Sequence, residues 1–334
     1  MRPTGRLHLG HLVGVLENWK RLQDEYDCFF MVADLHALMS EYEHPDQLRE
    51  WIDENVLDWL AYGIDPARSV VFRQSDVPEH AELYTILSII TPLGWLERIP
   101  TYKEQLRELE GRDLTTHGFL GYPVLQAADI LLYQAHVVPV GEDQLPHLEL
   151  TRELVRRFHA LYRCACFPEP QALLTQAAKL LGTDGRKMSK SYRNTISLSD
   201  SPEAIHKAAQ SMFTDPLRIK MTDPGHPETC NVCHYWKVFA PDRAEEVWNE
   251  CRTAARGCVQ NKRELADALI AVTEPFRQAR IQGGSSQDTV ERILQDGARR
   301  AQRIAQQTMA DVRRVIGLAG SRGGAVKHAN SPTR

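Results

Sequence analysis

The chain has 334 residues, of which 43% are hydrophobic and 25% are charged, and its formal net charge is −4. This length and composition exclude a disordered tail or a disulfide-rich mini-protein, and they predict a folded protein of two domains. The charge is uneven, because the segment 292–334 carries nine Lys or Arg against Asp296 and Asp311, a net charge of +7. A polyanionic partner that binds near the C-terminus is therefore compatible with a negative total charge.

Membrane segments and disulfides are not expected. The longest apolar runs, such as residues 28–33, fall far short of the roughly 18 to 20 residues of a membrane helix, and no signal segment opens the chain. We therefore predict a cytoplasmic protein with no membrane partner. Its seven unevenly spaced cysteines favour free thiols or a metal site over disulfides.

Short apolar runs alternate with segments of helical period along the first half of the chain. The predicted strands are Cys28–Ala33, Ser69–Arg73 and His136–Val140, and the predicted helices are Leu9–Leu22, Pro45–Tyr62, Glu79–Ile89, Tyr122–Leu132 and Leu145–Arg157. This alternation predicts an α/β fold with a parallel sheet, which binds ligands at the carboxyl ends of its strands. From Pro202 onward the β-type runs disappear, which predicts a C-terminal helical domain with interruptions at residues 222–228 and 283–286.

The last predicted helix has one apolar stripe. Its members are Val290, Leu294, Ala301, Ile304, Ala305, Met309, Val312 and Ile316. Spacing of this kind predicts that one face of the helix is buried against the rest of the protein. Residues 321–334 are predicted to form a disordered tail.

A turn at Pro3-Thr4-Gly5 precedes the first predicted helix, whose first turn carries His8, Gly10 and His11. The two histidines are three residues apart and therefore lie on the same side of the helix. A helix N-terminus offers backbone N–H groups and partial positive charge to a phosphate, and imidazole donors can follow charge that develops on a phosphoryl group. Two surface histidines on a helix are the alternative interpretation of this short pattern.

A second element is the basic segment Gly185-Arg186-Lys187-Met188-Ser189-Lys190-Ser191, whose two lysines are point charges suited to the outer phosphates of ATP. Taken with the histidines, it resembles the HIGH and KMSKS signatures of class I aminoacyl-tRNA synthetases, in the right order and about 180 residues apart. The resemblance implies a Rossmann-like doubly wound sheet and a C-terminal helical domain. It implies a catalytic domain at 1–185, a KMSKS loop and tRNA-binding domain at 186–320, and a tail at 321–334.

The segment from Gly121 to Leu131 predicts the amino-acid pocket. Tyr122, Gln126 and Asp129 fall on one face of an otherwise apolar helix, at spacings i, i+4 and i+7, which predicts that they line a pocket. With residues 138–152, this stretch resembles bacterial tryptophanyl-tRNA synthetase. By that resemblance Asp129 accepts the indole N–H, and Tyr122 and Gln144 bind the ammonium or the carboxylate of tryptophan. His36 matches another position of the substrate pocket.

The remaining site residues follow from the same resemblance. The catalytic residues it implies are His8, His11, Lys187 and Lys190. The residues it implies for ATP are Arg2, Pro3, Thr4, Gly10, His11, Gly141, Glu142, Asp143, Leu180, Lys187, Met188, Ser189, Lys190 and Ser191. The implied ligands and partners are L-tryptophan, ATP with Mg²⁺, tRNA(Trp) and a second copy of the chain in a homodimer. The predicted function is a tryptophan-tRNA ligase.

Two alternatives remain open on the sequence. Tyrosyl-tRNA synthetases read tyrosine with a Tyr, a Gln and an Asp at this same spacing, and an ionised Asp129 can accept from a phenol or an indole. A non-catalytic paralogue that binds tryptophan or a protein partner is the second alternative.

The cysteines of the C-terminal half form a set of their own. Some tryptophanyl-tRNA synthetases hold an iron-sulfur cluster there, and Cys230, Cys251 and Cys258 resemble its first three ligands, whereas Asn261 stands in the place of the fourth. Cys233 is a candidate replacement, which leaves iron-sulfur or zinc open. Unligated thiols are the favoured interpretation, and no metal site is predicted with certainty.

The start of the chain also departs from the family pattern. In the family an apolar strand precedes the turn at Arg2-Pro3-Thr4-Gly5, and here Met1 stands where that strand ends. Because a parallel sheet without a central strand leaves backbone groups unpaired, we expect the native coding sequence to begin upstream.

Overall fold

A computed structural model describes residues 1–100, 102, 115–174, 180–186, 188, 192–282 and 287–318. The strands that it describes are β1 (Phe29–Val32), β2 (Val70–Arg73), β3 (Val137–Val140) and β4 (Gln171–Leu174). The α-helices that it describes are α1 (Leu9–His11), α2 (Glu17–Leu22), α3 (Asp34–Glu41), α4 (Leu48–Tyr62), α5 (Glu79–Ile90), α6 (Leu93–Leu96), α7 (His117–Leu132), α8 (Leu145–Tyr162), α9 (Pro202–Gln210), α10 (Asn231–Phe239), α11 (Pro241–Arg252), α12 (Cys258–Gln282) and α13 (Gln287–Val315).

The predicted strands are confirmed as β1, β2 and β3, and each predicted helix is present. The helix predicted from Leu9 to Leu22 has a π-helical segment, Leu12–Leu16, between α1 and α2. Strand β4 was not predicted, because its run is short and both of its end residues are exposed. Beyond β4, the described residues contain helices and connecting segments but no further named strand.

Strands β1 and β2 are parallel, with Phe29 opposite Val70 and Val32 opposite Arg73. A buried aspartate joins their carboxyl ends. Asp34 follows β1, and its carboxylate accepts hydrogen bonds from the backbone N–H (3.0 Å) and the hydroxyl of Ser75, just after β2. Strands β3 and β4 form a second two-stranded sheet. None of the described helices combines the length and the apolar composition needed to cross a membrane.

The chain divides into two compact units. Unit 1 comprises Met1–Asp76, Pro139–Glu142 and Leu173–Ala301, and unit 2 comprises Val77–Val138, Asp143–Ala172 and the chain from Gln302. The predicted domain boundary at residue 185 is a functional division and stays a prediction.

Unit 1 has one continuous core, which joins the first helices and the β1–β2 sheet to the C-terminal helices. Leu9, Trp59 and Val71 belong to it, together with Trp236 and Leu265 of α10 and α12. In unit 2, helices α5, α7 and α8 pack against one another. The helices that carry the predicted site are therefore held by buried apolar side chains.

The predicted apolar stripe of the last helix is confirmed. Six of its eight members, Val290, Leu294, Ala301, Ala305, Met309 and Val312, are fully buried, whereas Ile304 and Ile316 are half-buried. Gly297 lies so close to β2 that a Cβ atom there would be 1.8 Å from the carbonyl oxygen of Val71. Nearby, a guanidinium nitrogen of Arg300 donates to the carbonyl of Pro66 at 2.7 Å. Helix α13 therefore contacts the backbone of the sheet and its preceding turn directly.

Candidate active site

Backbone N–H groups determine the hydrogen bonding of His8 and His11 in unit 1. The Nδ1 atom of His8 accepts from the N–H of Gly10, and the Nδ1 atom of His11 accepts from the N–H of His8, each at 3.2 Å. The two rings are 3.8 Å apart between centroids. Because Nδ1 is an acceptor in both rings, the proton of each neutral imidazole lies on Nε2. Both histidines can therefore present an Nε2–H donor to a phosphate oxygen.

The first motif lies beside the segments that flank the lysines of the second motif. The N–H of Leu9 donates to the carbonyl of Ile196 (3.0 Å), and the N–H of Leu198 donates to the carbonyl of Leu7 (3.0 Å). A Cβ atom on Gly10 would lie 3.2 Å from the sulfur of Met188. Two motifs separated by about 180 residues in sequence are thus brought together within unit 1.

The segment before the lysines is fixed by hydrogen bonds to α10. The buried Asn231 donates to the carbonyl of Gly182 (2.8 Å), and the buried hydroxyl of Tyr235 donates to the carbonyl of Leu181 (2.6 Å). Burial raises the pKa of Tyr235, so its hydroxyl remains a donor. Hydrogen bonds from Asn194 and Arg186 lower the pKa of Asp184 to about 2 and keep its carboxylate ionised. Residues on both sides of the lysine segment are therefore held in place.

The other residues predicted for ATP and for catalysis are placed as follows. Lys187, Ser189, Lys190 and Ser191 lie outside the described residues. Leu180 and Met188 are partly buried against the core of unit 1. Pro3 is buried, and Arg2 is exposed. Gly141 directly follows β3, and Glu142 and Asp143 are exposed in the next helical turn, Glu142–Gln144. His36 is half-buried in the first turn of α3. It was predicted at the end of a strand, and β1 ends before it, at Val32.

Helix α7 of unit 2 carries two half-buried side chains within an otherwise buried stretch. Between Gly121 and Leu132 only Gln126 and Asp129 are half-buried, and the remaining residues of that stretch are buried, including Tyr122 at 8% exposure. A polar pair on an otherwise buried helix is typical of a pocket wall and not of a solvated helix face. The residues of the predicted stripe thus lie on α7, with Tyr122 buried and Gln126 and Asp129 half-buried, and their role in a pocket stays a prediction.

A buried histidine fixes the carboxylate of Asp129. The Nδ1 atom of His80 is 2.7 Å from Oδ1 of Asp129, and its Nε2 atom is 2.7 Å from the hydroxyl of Tyr133. His80 is fully buried. Desolvation, followed by the nearby charge of Asp129, raises the pKa of Tyr133, so that side chain stays a neutral phenol. The carboxylate that is predicted to read the substrate ring is thus held by a network of three side chains.

A second buried histidine joins two of the predicted substrate ligands. His147 of α8 is 1% exposed, with its Nε2 atom 3.0 Å from the hydroxyl of Tyr122 and its Nδ1 atom 3.0 Å from Oε1 of Gln144. The amide nitrogen of Gln144 donates to Asp143 at 2.9 Å. Sequence reasoning missed both His80 and His147. The available signal was a histidine inside an apolar helical stretch. Such a histidine is expected to be buried, but the sequence does not show which side chain it bonds to.

Three cysteines of the C-terminal half lie together in the core of unit 1. Cys230, Cys233 and Cys251 are buried, and Cys233 is hydrogen-bonded to each of the other two. The hydrogen bond from Cys233 and those from nearby backbone N–H groups lower the pKa of Cys230 to about 6. Asn261 accepts a hydrogen bond from the indole of Trp236 (2.8 Å) and donates toward the sulfur of Cys233 (3.8 Å). Within the described part of the chain, no group of three or more His, Cys, Asp or Glu is arranged to hold a metal ion.

Comparisons with known proteins identify the family of the chain. The family model of class I tRNA synthetases (W and Y) matches residues 1–274. A tryptophan–tRNA ligase of Thermotoga maritima is 48% identical, over 95% of this chain and 98% of its own length. The ligase of Ralstonia nicotianae is 41% identical, over 95% of this chain and 97% of its own length.

A solved structure extends the comparison to three dimensions. Tryptophanyl-tRNA synthetase from Campylobacter jejuni, complexed with ADP and tryptophan, superposes with a TM-score of 0.86 at 34% sequence identity, and the match covers 95% of this chain and 98% of that one. The predicted Rossmann-like α/β fold with a C-terminal helical region is thereby confirmed. The chain belongs to the class I tRNA synthetases of the tryptophan and tyrosine group, and within that group to the bacterial tryptophan–tRNA ligases.

Proposed function

We propose that the chain activates L-tryptophan with ATP and transfers the tryptophanyl group to tRNA(Trp). The observation that carries this proposal is the contact between the first helix, with its two Nε2–H donors, and the segments flanking Lys187 and Lys190. The relatives named tryptophan–tRNA ligase support tryptophan over tyrosine as the amino acid.

In this proposal the nucleotide is bound by residues of unit 1. His8 and His11 donate from Nε2 to the α-phosphate, and Lys187 and Lys190 neutralise the β- and γ-phosphates. Gly10 lets the side chains of His8 and Met188 pack closely against the first helical turn, because a Cβ atom there would lie 3.0 to 3.2 Å from them. Mg²⁺ enters with ATP and supplies further positive charge to the departing pyrophosphate.

Tryptophan is bound by residues of unit 2. Asp129 accepts the indole N–H with a carboxylate that His80 holds in place, and Gln126 lines the same wall of the pocket. Tyr122 and Gln144 bind the polar end of the amino acid. His36 is a further candidate residue for the substrate.

The chemistry needs no protein nucleophile. The carboxylate of tryptophan attacks the α-phosphorus of ATP, the bond to the bridging oxygen breaks, and pyrophosphate leaves with that electron pair. A ribose hydroxyl at the 3′ end of the tRNA then attacks the carbonyl carbon of the adenylate, and AMP leaves. The protein contributes positioning and charge stabilisation in both steps.

Pyrophosphate exchange into ATP tests this proposal, because it reports adenylate formation without tRNA. Parallel reactions with tryptophan and tyrosine should give exchange with tryptophan only. Exchange with tyrosine alone would identify a tyrosine enzyme. Tryptophan binding without any exchange would identify a non-catalytic binding protein and would contradict the proposal.

The proposal extends to a homodimer that binds tRNA in the cytoplasm. Ile89 and Leu93 expose 77% and 64% of their surface, which gives a second copy apolar area to cover. The +7 segment 292–334 supplies charge for phosphate contacts. The cysteines described as free thiols fit a reducing compartment. A monomer in light scattering would contradict the homodimer. A tRNA affinity that does not fall with increasing salt concentration would contradict the role of the charged segment.

For the cysteines we propose that no intact four-iron cluster forms, since Asn261 is engaged with Trp236 where a fourth thiolate would be needed. Zinc or a rearranged cluster on Cys230, Cys233, Cys251 and Cys258 remains the competing proposal. Metal analysis and a visible spectrum of anaerobically purified protein decide between them. Stoichiometric iron and sulfide would overturn the first.

A further inference from the structure

A pair of cysteines in unit 2 takes no part in the proposed chemistry. Cys164 and Cys166 lie just beyond the end of α8, and both are half-buried free thiols. The residue between them, Ala165, is exposed, so the pair reaches the surface of unit 2. The cysteines in the core of unit 1 differ in this respect, because packing shields them from a dissolved reagent. A small molecule can therefore reach this pair.

The two side chains are in direct contact. Cys166 donates a hydrogen bond to the sulfur of Cys164. Desolvation, followed by this hydrogen bond, raises the pKa of Cys166 to about 12, so that side chain remains a thiol at neutral pH. The thiolate is the nucleophile in thiol–disulfide exchange. The first attack on an external disulfide therefore comes from Cys164, with Cys166 waiting beside it.

Three hydrogen bonds hold the backbone around the pair. The N–H of Cys164 donates to the carbonyl of His159 (3.3 Å), and the N–H of Phe167 donates to Nε2 of the same histidine (3.1 Å). The amide nitrogen of Gln134 donates to the carbonyl of Cys166 (3.0 Å). These bonds fix peptide groups and leave the χ1 torsions of the cysteines free to change. The two sulfur atoms can therefore turn toward each other while the backbone stays in place.

The spacing of the pair allows a disulfide that is easily reduced. Cα atoms two residues apart are separated by at most about 7 Å, and the Cα atoms of disulfides are roughly 4.4 to 6.8 Å apart. The ring closed between Cys164 and Cys166 would be small, and strained or exposed disulfides are the labile ones. The pair is thus suited to a reversible bond and not to a permanent cross-link.

We propose that Cys164 and Cys166 form a thiol–disulfide exchange site for low-molecular-weight disulfides, with Cys164 as the attacking residue and Cys166 as the resolving residue. The thiolate of Cys164 attacks one sulfur of the disulfide RSSR, the S–S bond breaks, and RS⁻ leaves and takes up a proton. Cys164 then carries no charge for Cys166 to donate to, and Cys166 can release its proton to solvent.

The second step closes the ring. The sulfur of Cys166 attacks the sulfur of Cys164, a new S–S bond forms, and the second RS⁻ leaves and is protonated. The two protein thiols have been oxidised, and RSSR has been reduced to two RSH. An excess of RSH, or a dithiol, reverses both steps.

Glutathione disulfide is the probe that tests this proposal on the full-length protein. After incubation at neutral pH, the reaction is stopped with acid, free thiols are blocked with N-ethylmaleimide, and a non-reducing tryptic digest is analysed by mass spectrometry. Cleavage after Arg163 and Lys179 places both cysteines in one peptide that contains no other cysteine. In the wild type this peptide should be lighter by two hydrogens, without bound glutathione, and dithiothreitol should restore both thiols.

Serine variants separate the two roles. C166S should stop at the intermediate, with one glutathione attached to Cys164. C164S should form its adduct at about a tenth of that rate or less, because desolvation still disfavours the thiolate of Cys166. The control C28S removes another half-buried thiol and should leave the result for residues 164–179 unchanged.

Three outcomes would overturn the proposal. The wild-type peptide could remain unmodified, or it could keep a glutathione without closing the disulfide. C164S could also react as fast as C166S, which would remove the distinction between attacking and resolving residue. The first two outcomes are read from the wild type alone, so they decide even if a variant does not fold.

Discussion

The two units orient the histidines of their candidate sites in different ways. In unit 1, His8 and His11 accept from backbone N–H groups no more than three residues away. In unit 2, His80 bonds to side chains 49 and 53 residues away, and His147 bonds to one that is 25 residues away. The first arrangement depends on local helix geometry, whereas the second exists only when distant helices have packed. Changes in unit 1 should therefore affect the chemical step, and changes in unit 2 should affect recognition of the amino acid.

The largest effect is expected from the lysines that follow the anchored segment of unit 1. K187A and K190A each remove a charge that acts on phosphate in the transition state, so kcat for adenylate formation should fall by about 10² to 10³. Tryptophan affinity should change much less. Single-turnover kinetics and calorimetry measure the two quantities, with exposed Lys207 as the site of a control substitution, K207A. Equal losses in kcat and in tryptophan affinity would contradict the assignment of the chemical step to unit 1 and of amino-acid recognition to unit 2.

The next effect concerns recognition in unit 2. D129A leaves the indole N–H unpaired and should cost about 1 to 3 kcal/mol in binding of tryptophan. The KM for tryptophan should rise, and the preference over tyrosine should disappear, while kcat at saturating tryptophan changes little. A control, D267A, removes a carboxylate that is 65% exposed and should leave both constants unchanged. Normal activation of tryptophan by D129A would show that this wall of α7 is not the pocket.

The part of this arrangement that can be predicted from the sequence depends on how far apart the interacting residues lie along the chain. The turn, the histidine pair and the polar stripe of α7 were predicted because each lies within about ten residues of sequence. The strands β1, β2 and β3 were predicted because each is a compact apolar run. The partners of His80, His147 and Asp34 were not predictable, since they are set by packing between separate elements. The anchoring of Leu181 and Gly182 by α10 belongs to the same class.

Two glycines lie in close contact with a neighbouring residue, Gly297 with a backbone group in unit 1 and Gly121 with a side chain in unit 2. Alanine substitutions at the two positions compare the cost of these contacts. A Cβ atom on Gly297 would meet the carbonyl of Val71 at 1.8 Å, whereas one on Gly121 would meet the hydroxyl of Tyr84 at 2.3 Å. G297A should destabilise the protein in the upper part of the roughly 1 to 3 kcal/mol that overpacking costs, because a backbone carbonyl cannot rotate away.

The matched variants make this prediction testable by thermal unfolding. G121A should destabilise less, since the end of a tyrosine side chain can move. G94A has no atom within 4 Å of its Cβ position and should not lower the melting temperature. The comparison would be wrong if G121A lowered the melting temperature more than G297A.

The smallest effect should appear in acid. Hydrogen bonds from Asn194 and Arg186 lower the pKa of Asp184 to about 2 in the folded protein, below its usual value of about 4. Its stabilising contribution is therefore complete above about pH 4 and is lost as the pH falls from about 4 to about 2. The difference in melting temperature between the wild type and D184N should narrow over this window. A constant difference would show that the ionised form contributes nothing there.

The burial pattern of α7 has an evolutionary consequence. Between Gly121 and Leu132 packing leaves only Gln126 and Asp129 partly exposed, so substitutions at these two positions can alter the shape of the pocket without opening the core. Preference for a different aromatic side chain can therefore drift at Gln126 while the fold is retained. If the proposed pocket is right, the same position is where a laboratory library for ring-substituted tryptophan analogues should begin, since a smaller side chain there would add volume next to the indole.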